Sequence, residues 1–474
     1  MDMGTRGGVV RPERLRWCKA RAEGAFHPAS RSEGLSGGAG PAASGIALPH
    51  WQGRAGRSGP PVRMTALRGI PSRRVRSGLA PAIPVPMRPD PSPAVRALLS
   101  RLPVFDAHAD TIGRAVDLGE DLGSRTESGH LDLVRGREGG LGAFVVVAWV
   151  DPELFAADPR ARADAMFDAA HDLACRHPTR FRLVGNAAEL DRARADGCIS
   201  GILGIEGGHP LEGRLDRLHE FFERGLRVLT LVWNNHLPWV RSCRDGAGAD
   251  IPPGLSEFGR EVVSEMNQLG IVVDLSHAAE QSFHDALEQS AHPVIASHSG
   301  CRALHDHPRN LTDAQLRALA DRGGVVGIVF HPGFLDAGAR AEEARVRATP
   351  AWRALDALPP AERFLAGQAL MRRDASPLPA ARLVDHILHA IDVAGIDHVG
   401  LGSDFDGIDR GPEWLEDASC YGTLAELLHR RGLSLPDLEK VLGGNMERVF
   451  REVTSIGSDA FHLTPRNRPE PVGV

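Results

Sequence analysis

Residues 104–112 read Val104-Phe105-Asp106-Ala107-His108-Ala109-Asp110-Thr111-Ile112. The apolar start predicts a strand, and because side chains alternate between the faces of a strand, His108 and Asp110 should point the same way. An imidazole and a carboxylate side by side at the end of a strand form half of a metal site. A buried His that is hydrogen-bonded to a nearby Asp is the structural alternative, so the rest of the chain must decide.

Seven more apolar runs follow this segment, and helical patterns separate them. The eight runs span residues 104–107, 141–150, 202–205, 228–232, 271–275, 294–297, 325–330 and 399–402. Most are continuous rather than alternating, which is typical of parallel strands buried on both faces. Eight strands alternating with helices over about 350 residues predict an α/β fold, the (β/α)8 TIM barrel. A doubly wound open sheet competes, but no Gly-x-Gly-x-x-Gly follows the first strand.

Local signals place helices between these strands. Residues 258–269 carry an apolar stripe that Gly270 ends, and Thr312 and Gln315 form a capping box that opens another helix. Residues 330–383 make a long excursion before the last strand. We expect this excursion to be helical and to lie over or beside the barrel mouth.

The composition divides the chain into three regions. Residues 1–97 are rich in Gly, Pro, Ala, Ser and Arg, too poor in apolar periodicity to offset the entropy of ordering, so we expect a disordered basic leader. A translation start at Met64 or Met87 would instead make this leader an artefact of the gene model. Residues 98–455 are the predicted barrel domain, and residues 456–474 are a polar C-terminal tail.

The charge balance argues against nucleic acid as a partner. Residues 1–97 hold 16 Lys and Arg against 5 Asp and Glu, so the rest holds 39 against 56 of the totals 55 and 61. The predicted barrel is therefore acidic, whereas nucleic-acid-binding proteins carry basic surfaces.

The chain shows no sign of export, membrane anchoring or a cysteine framework. The six cysteines are scattered without a Cys-x-x-Cys pair, which argues against a zinc ribbon or a disulfide scaffold. No apolar run reaches about 18 residues, and no signal-peptide core follows the basic N-terminus. We therefore expect a cytoplasmic protein without a membrane anchor.

Polar residues cluster where the predicted strands end. They are His108 and Asp110 after the first strand, Glu206 after the third, Trp233 to His236 after the fourth, His277 after the fifth, His298 after the sixth, and Asp404 and Asp406 after the eighth. A barrel brings the carboxyl ends of its strands to one mouth, where active sites lie. We interpret Asp406 as structural, ordering the turn at Gly407.

Five of these residues form a candidate metal centre: His108, Asp110, Glu206, His277 and His298. Three imidazoles and two carboxylates are one ligand too many for a four-coordinate site that also holds water. They suit two metals that share one carboxylate and a hydroxide, and Glu206, between the others in strand order, is the natural bridge. Mixed nitrogen and oxygen ligands favour zinc, with manganese, cobalt or iron as alternatives.

Six motifs in this order resemble the membrane (renal) dipeptidase family, peptidase family M19. They are Phe105-Asp106-Ala107-His108-Ala109-Asp110, Gly204-Ile205-Glu206-Gly207-Gly208, Val273-Asp274-Leu275-Ser276-His277, Ser297-His298-Ser299 with Arg309-Asn310, Gly402-Ser403-Asp404-Phe405-Asp406-Gly407 and Gly443-Gly444-Asn445. The resemblance implies a barrel of the metal-dependent hydrolase type that hydrolyses dipeptides, often with a D-residue at the C-terminal position. It also implies two zinc ions per chain and a homodimer.

The resemblance also implies a role for each site residue. One zinc ion is held by His108, Asp110 and Glu206, and the other by Glu206, His277 and His298. Arg309 binds the substrate carboxylate, for which a planar guanidinium is a bidentate partner. Asp404 is the acid/base that handles the proton of the attacking water and of the leaving amine.

One departure from the family concerns the fourth strand. Mammalian members carry a substrate-contacting His after the Leu-Thr-Leu-Thr of this strand, whereas here Leu229-Thr230-Leu231-Val232 is followed by Trp233. Either Asn234, Asn235 or His236 takes the donor role, or the substrate preference has shifted. We expect Trp233, His236 and Asn310 to join Arg309 in the substrate site.

Two other functions compete with a zinc dipeptidase. One is another dinuclear-metal hydrolase of amide, lactam or phosphoester bonds, and the other is a catalytically silent metal-binding scaffold. Arg309 distinguishes a dipeptidase from the first alternative, because only a substrate with a carboxylate needs this arginine. Retention of five ligands and Asp404 argues against the second.

Overall fold

Eight parallel strands close into a ring in the computed structural model, which describes residues 87–101, 103–244 and 250–460, the last four without side chains. In order around the ring they are β1 (Val104–Ala109), β2 (Leu141–Trp149), β4 (Ile199–Glu206), β5 (Leu226–Thr230), β6 (Val272–Asp274), β7 (Ile295–Ser299), β8 (Val325–Ile328) and β9 (Val399–Leu401). Because β2 pairs with β4 and β9 pairs with β1, the ring has no free edge. The predicted (β/α)8 barrel is confirmed, and the open sheet is excluded.

A ninth strand, β3 (Phe181–Leu183), lies outside the ring. It pairs with the first half of β4, from Ile199 to Gly201, while β5 pairs with β4 from Leu203 onward. The sequence analysis did not predict β3, because a strand of three residues with an Arg in its middle gives no periodic signal.

Helices connect the strands. In chain order they are α1 (Pro93–Arg101), α2 (Ile112–Asp117), α3 (Leu133–Gly139), α4 (Pro159–Arg176), α5 (Ala187–Ala195), α6 (Leu215–Glu223), α7 (Glu257–Leu269), α8 (Glu280–Gln289), α9 (Asp313–Asp321), α10 (Pro332–Leu335), α11 (Ala337–Arg347), α12 (Pro350–Arg353), α13 (Pro360–Asp374), α14 (Ala381–Ala394), α15 (Tyr421–Arg430), α16 (Leu435–Glu439) and α17 (Asn445–Ala460). Short 3-10 turns lie at His209–Leu211, Ala354–Ala357, Ile396–His398 and Ala418–Cys420, and a π-helical turn spans Lys440–Gly444. None of the described helices is long and apolar enough to cross a membrane.

The helix signals in the sequence are confirmed. Helix α7 follows a Ser256 cap and ends at Gly270, whose φ of 72° is left-handed and costs glycine little. The capping box of Thr312 and Gln315 opens α9. Helices α10 to α14 occupy the long excursion before β9.

Both faces of the barrel strands are buried, which explains their continuous apolar runs. In β1 and β2, Phe105 packs in one buried cluster with Val145, whereas Val104 packs in another with Phe144 and Val146. Alternate residues of one strand therefore serve two different packing layers.

Asp106 joins the first strand of the barrel to the last. One carboxylate oxygen accepts the N–H groups of His108, at 3.2 Å, and of Ser403, at 2.8 Å. The other oxygen accepts the hydroxyl of Tyr421, which lies at the start of α15. This buried carboxylate holds together the end of the barrel that carries the site.

The described part belongs to a compact unit that begins at Arg88. The predicted boundary at residues 97 and 98 falls inside α1, whose Val95 and Leu98 are buried, and Arg88 donates to Thr423 at 3.0 Å. Most of the predicted leader and most of the tail at 456–474 lie outside the described residues. Their assignment stays a prediction.

Candidate active site

The predicted ligands meet at one end of the barrel. His108 lies at the end of β1, Glu206 is the last residue of β4, and His298 lies in β7. His277 and Asp404 follow β6 and β9 by three residues. These five side chains are buried, with Asp404 the most exposed at 9%. Asp110, the remaining predicted ligand, follows β1 directly and is half-buried.

Glu206 is the centre of this group. Its Oε1 lies 2.9 Å from Nε2 of His277 and 3.3 Å from Nε2 of His298. Its Oε2 lies 3.7 Å from Nε2 of His108, and that nitrogen lies 3.6 Å from Oδ2 of Asp110. The two carboxylate oxygens thus face different sets of imidazoles.

The donor set fits metal ions. Nε2 of His277 and Nε2 of His298 are 3.1 Å apart. Within the part of the chain that the structure describes, Nε2 of His108 and Oδ1 of Asp110 are buried without a hydrogen-bond partner. Unpartnered polar atoms in a buried site are costly unless something binds them. Ligand atoms of His108, Glu206 and His298 lie within 4.8 Å of one another, as do those of His108, Asp110 and Asp404.

The outer nitrogens of the imidazoles are already engaged. Nδ1 of His277 lies 3.1 Å from Oδ1 of Asn234, an acceptor, so Nδ1 carries the proton there. Nδ1 of His298 and Nδ1 of His108 lie 2.9 and 3.2 Å from the hydroxyl oxygen of Ser297. Protons on Nδ1 leave the Nε2 lone pairs pointing into the site, which is the form that binds a metal.

Asp274 fixes the direction of the Ser297 hydroxyl. The hydroxyl donates to Oδ2 of Asp274 at 2.6 Å, and Thr230 donates to the same oxygen at 2.5 Å. Oδ1 of Asp274 accepts the N–H groups of Ser276 and Ser297. Because its proton points to Asp274, Ser297 can only accept from His108 and His298. Sequence reasoning quoted Asp274 and Ser297 in motifs but assigned neither a role; their position next to the ligands was the available signal.

We expect Ser297→Ala to weaken metal binding by about 10–100-fold, the usual cost of losing an outer-shell partner of a metal-binding histidine. The loss should fall on both metal positions, because one hydroxyl orients an imidazole proposed for each. Competition with a chelator of known affinity measures this. The matched control is Ser299→Ala, because the buried Ser299 hydroxyl has no hydrogen-bond partner. Equal affinities for Ser297→Ala and the parent would contradict the role.

Burial and nearby positive charges keep two imidazoles neutral. Burial and the nearby Arg309 charge lower the pKa of His277 to about 4, and burial and the His108 charge lower the pKa of His298 well below its usual range. Burial also opposes charging of His108, but Glu206 and Asp110 outweigh it and raise its pKa. His277 and His298 are therefore available as neutral ligands at physiological pH.

Asp404 lies beside Asp110 on a constrained turn. Its φ of 61° is left-handed, as is the φ of His277 at 67°, and such backbone conformations concentrate at functional sites. Burial and the Asp110 charge raise the pKa of Asp404 well above its usual range. A Cβ on Gly407 would lie 2.3 Å from a carboxylate oxygen of each Asp, so only glycine fits beside the pair.

Asp406 is structural, although its contacts differ from those expected. Its carboxylate accepts hydrogen bonds from the Thr111 hydroxyl at 2.7 Å, Arg114 at 3.1 Å and the N–H of His130 at 2.6 Å. The turn at Gly407 is closed instead by the Asp404 carbonyl, which accepts the Gly407 N–H. Asp406 therefore anchors the loops after β1.

Arg309 lies next to the imidazoles and is only partly satisfied. The residue is 4% exposed, one terminal nitrogen donates to the His298 carbonyl at 3.1 Å, and Nε has no partner. Its guanidinium lies over the Phe334 ring, 5.3 Å from the centroid. Arg309 and His277 line one cavity of about 480 Å³, so an unfilled cationic donor faces the space beside the candidate metal centre.

The other predicted substrate residues have different environments. Trp233 is half-buried, with ring centroids 5.1 Å from Trp149 and 6.2 Å from His277. His236 accepts the Ser242 N–H through Nδ1 at 3.1 Å, so Asn234, and not His236, is the residue of this segment that contacts a predicted ligand. The Asn310 amide donates to the carbonyls of His305, in a loop, and of Phe334, in α10, and Asn310 also lines the cavity beside His277.

Comparison with known proteins assigns the family. The family model described as membrane dipeptidase (peptidase family M19) matches residues 93–461. The chain belongs to this family. Dipeptidase 3 of Mus musculus is 31% identical over 78% of this chain and 68% of its own length. An uncharacterized dipeptidase of Schizosaccharomyces pombe, C965.12, is 32% identical over 72% of this chain and 75% of its own length.

Solved structures of the membrane dipeptidase family share the barrel. Dipeptidase AC, a metallopeptidase of family M19, matches with a TM-score of 0.62 and 29% identity over 75% of this chain and 99% of its own. A metallopeptidase from Rhodobacter sphaeroides, solved with a phosphinate mimic of the dipeptide L-Ala-D-Ala, matches with a TM-score of 0.62 and 28% identity over 74% and 99%. This chain is therefore a dipeptidase of family M19, a family of metal-dependent peptidases.

Proposed function

We propose that this family member hydrolyses dipeptides with a free C-terminal carboxylate and uses two zinc ions held by His108, Asp110, Glu206, His277 and His298. The observation that carries the proposal is the position of Arg309, a buried arginine with an unpartnered Nε that shares a cavity with His277. A carboxylate placed on Arg309 brings the neighbouring peptide bond of a short substrate toward the imidazoles. A substrate without a carboxylate would leave Arg309 unfilled.

The ligand division that we propose follows the two oxygens of Glu206. Oε2 faces His108, with Asp110 beside it, and Oε1 faces His277 and His298. When bound, two metal ions supply Lewis acidity and a water of lowered pKa. Zinc suits this mixture of imidazole and carboxylate, although manganese, cobalt or iron would fit the same donors.

The chain's own residues then perform the remaining steps. Arg309 binds the substrate carboxylate and fixes the peptide bond at the site, which supplies orientation before reaction. Asp404 takes a proton from the attacking water and delivers it to the leaving nitrogen. Asn234 and Ser297 hold the imidazoles in place. Trp233 closes one side next to His277.

The proposal extends to substrates with a D-residue at the C-terminal position. Its support is the Rhodobacter sphaeroides relative that was solved with a mimic of L-Ala-D-Ala. Hydrolysis of L-Ala-L-Ala and of L-Ala-D-Ala by purified protein, with metal content measured on the same sample, tests both parts. The homodimer and the cytoplasmic location expected from the sequence stay predictions.

We expect Arg309→Ala to raise KM more than it lowers kcat, because the pair with the carboxylate exists both before and during reaction. A charge-assisted hydrogen bond of about 1.5–3 kcal/mol corresponds to roughly a ten- to hundred-fold loss in kcat/KM. The control is a dipeptide whose C-terminal carboxylate is amidated: it should be a poor substrate of the parent and respond little to the substitution. Equal losses on free and amidated dipeptides would show that Arg309 does not bind the carboxylate.

A further inference from the structure

The cavity beside the candidate metal centre has a cationic lining. Four arginines line it, Arg241, Arg244, Arg302 and Arg309, together with the acidic residues Glu280 and Asp306. The two acids are exposed, whereas Arg302 is half-buried and Arg309 is buried. Exposed carboxylates are screened by water, so the positive charges dominate inside the cavity.

Two of these arginines, Arg302 and Arg309, have hydrogen-bond donors that no described residue accepts. Arg302 donates through one terminal nitrogen to the Pro308 carbonyl at 3.1 Å, and Nε of Arg302 and Nε of Arg309 are buried without a partner among the described residues. Neither arginine has a carboxylate oxygen within 4.0 Å among the residues that the structure describes. Elsewhere in the described part many arginines are paired, such as Arg162 with Asp117 at 2.7 Å and Arg382 with Asp336 at 2.8 Å. The cavity therefore keeps guanidinium groups without a protein counter-ion.

In the proposed function the C-terminal carboxylate of the substrate binds Arg309. Arg302 therefore still lacks an anionic partner. The free ammonium group of a dipeptide is repelled by this cavity, so the C-terminal residue is the half of the substrate that enters. A second negative charge in the same cavity can then come only from the side chain of that residue.

We propose that this enzyme prefers dipeptides whose C-terminal residue is acidic, Asp or Glu, with the side-chain carboxylate held by Arg302. This inference rests on the proposed function and adds a substrate class to it. Arg302 provides a planar donor for a second carboxylate.

Matched dipeptides test the preference. Ala-Glu and Ala-Gln differ in charge and hardly in shape, and both are assayed in the metal-loaded full-length protein. We expect kcat/KM to be about tenfold higher for Ala-Glu, the size of one partly exposed charge-assisted pair. The ratio should decrease at 1 M salt, where the screening length falls to about 3 Å.

Substitutions test whether Arg302 causes the preference for an acidic C-terminal residue. Arg302→Gln should bring the Glu-to-Gln ratio close to one, and Arg302→Lys, which keeps the charge, should retain most of it. Arg317→Gln is the control, because Arg317 is an exposed arginine on α9 outside the cavity, and both rates should match the parent. A ratio near one in the parent, or a ratio unchanged by Arg302→Gln, overturns the inference and leaves the dipeptidase activity standing. Hydrolysis of no dipeptide overturns both.

Discussion

Asp404→Asn is expected to lower kcat by about 10²–10⁴ while KM changes little, because a proton carrier acts only on the way to the transition state. Asparagine has nearly the shape of aspartate but cannot accept and return the proton. The geometry favours this role, because the Asp404 turn places its carboxylate beside that of Asp110. Steady-state kinetics on a dipeptide, together with metal analysis of the same preparation, provide the measurement.

The metal content of the Asp404→Asn variant distinguishes a proton carrier from a metal ligand. Its carboxylate is close enough to His108 and Asp110 to be a ligand as well, so loss of a metal in Asp404→Asn would make Asp404 a ligand and refute the proton role. Asp406→Asn is the control substitution at a nearby aspartate. Asp406 accepts hydrogen bonds from the loops after β1, so we expect that variant to lose thermal stability first.

Glu206→Gln is expected to remove both metals and with them all activity. Each oxygen of Glu206 faces a different set of imidazoles, so a neutral amide weakens two positions at once. The loss of metal affinity at each position should exceed the roughly 10–100-fold loss that follows when an outer-shell partner of a ligand is replaced. Elemental analysis after dialysis should give close to two equivalents for the parent and little for the variant.

A second substitution separates a shared ligand from an ordinary one. Among the three imidazoles, Asp110 lies near that of His108 only, so Asp110→Asn should reduce the metal content to about one equivalent and leave the other position filled. One firmly bound equivalent in Glu206→Gln would refute the bridge. Far-ultraviolet circular dichroism of each variant checks that the barrel is intact.

The barrel could be predicted because its strands are buried on both faces, which makes most of them continuous apolar runs. Residue types at the ends of these runs then indicated the site, since a closed ring brings all strand ends together. Strand β3 escaped prediction because its three residues carry no pattern. The ring closure itself depends on the direct pairing of β2 with β4, which no local signal reports.

The support around the site was harder to predict than the site itself. Asp274 and Ser297 lie next to ligands in the sequence, but only the fold shows that one hydroxyl serves two imidazoles from different strands. Asn310 lines the cavity in which it was expected to contact substrate, but the bonds of its amide to the carbonyls of His305 and Phe334 could not be predicted. Side-chain partners that come from distant parts of the chain leave no trace in spacing.

The hydrogen bond between Asp106 and Ser403 has a consequence for how this protein folds during its synthesis. Its partner Ser403 is 297 residues further along the chain, so at about 5–20 residues per second the ribosome needs roughly 15–60 s to supply it. Until then β1 lacks the neighbour that closes the ring and presents an unpaired edge, the feature of a sheet most prone to pairing with other chains. The interval during which a newly made chain can pair wrongly is therefore at least as long as this stretch of translation, and an earlier supply of metal cannot shorten it.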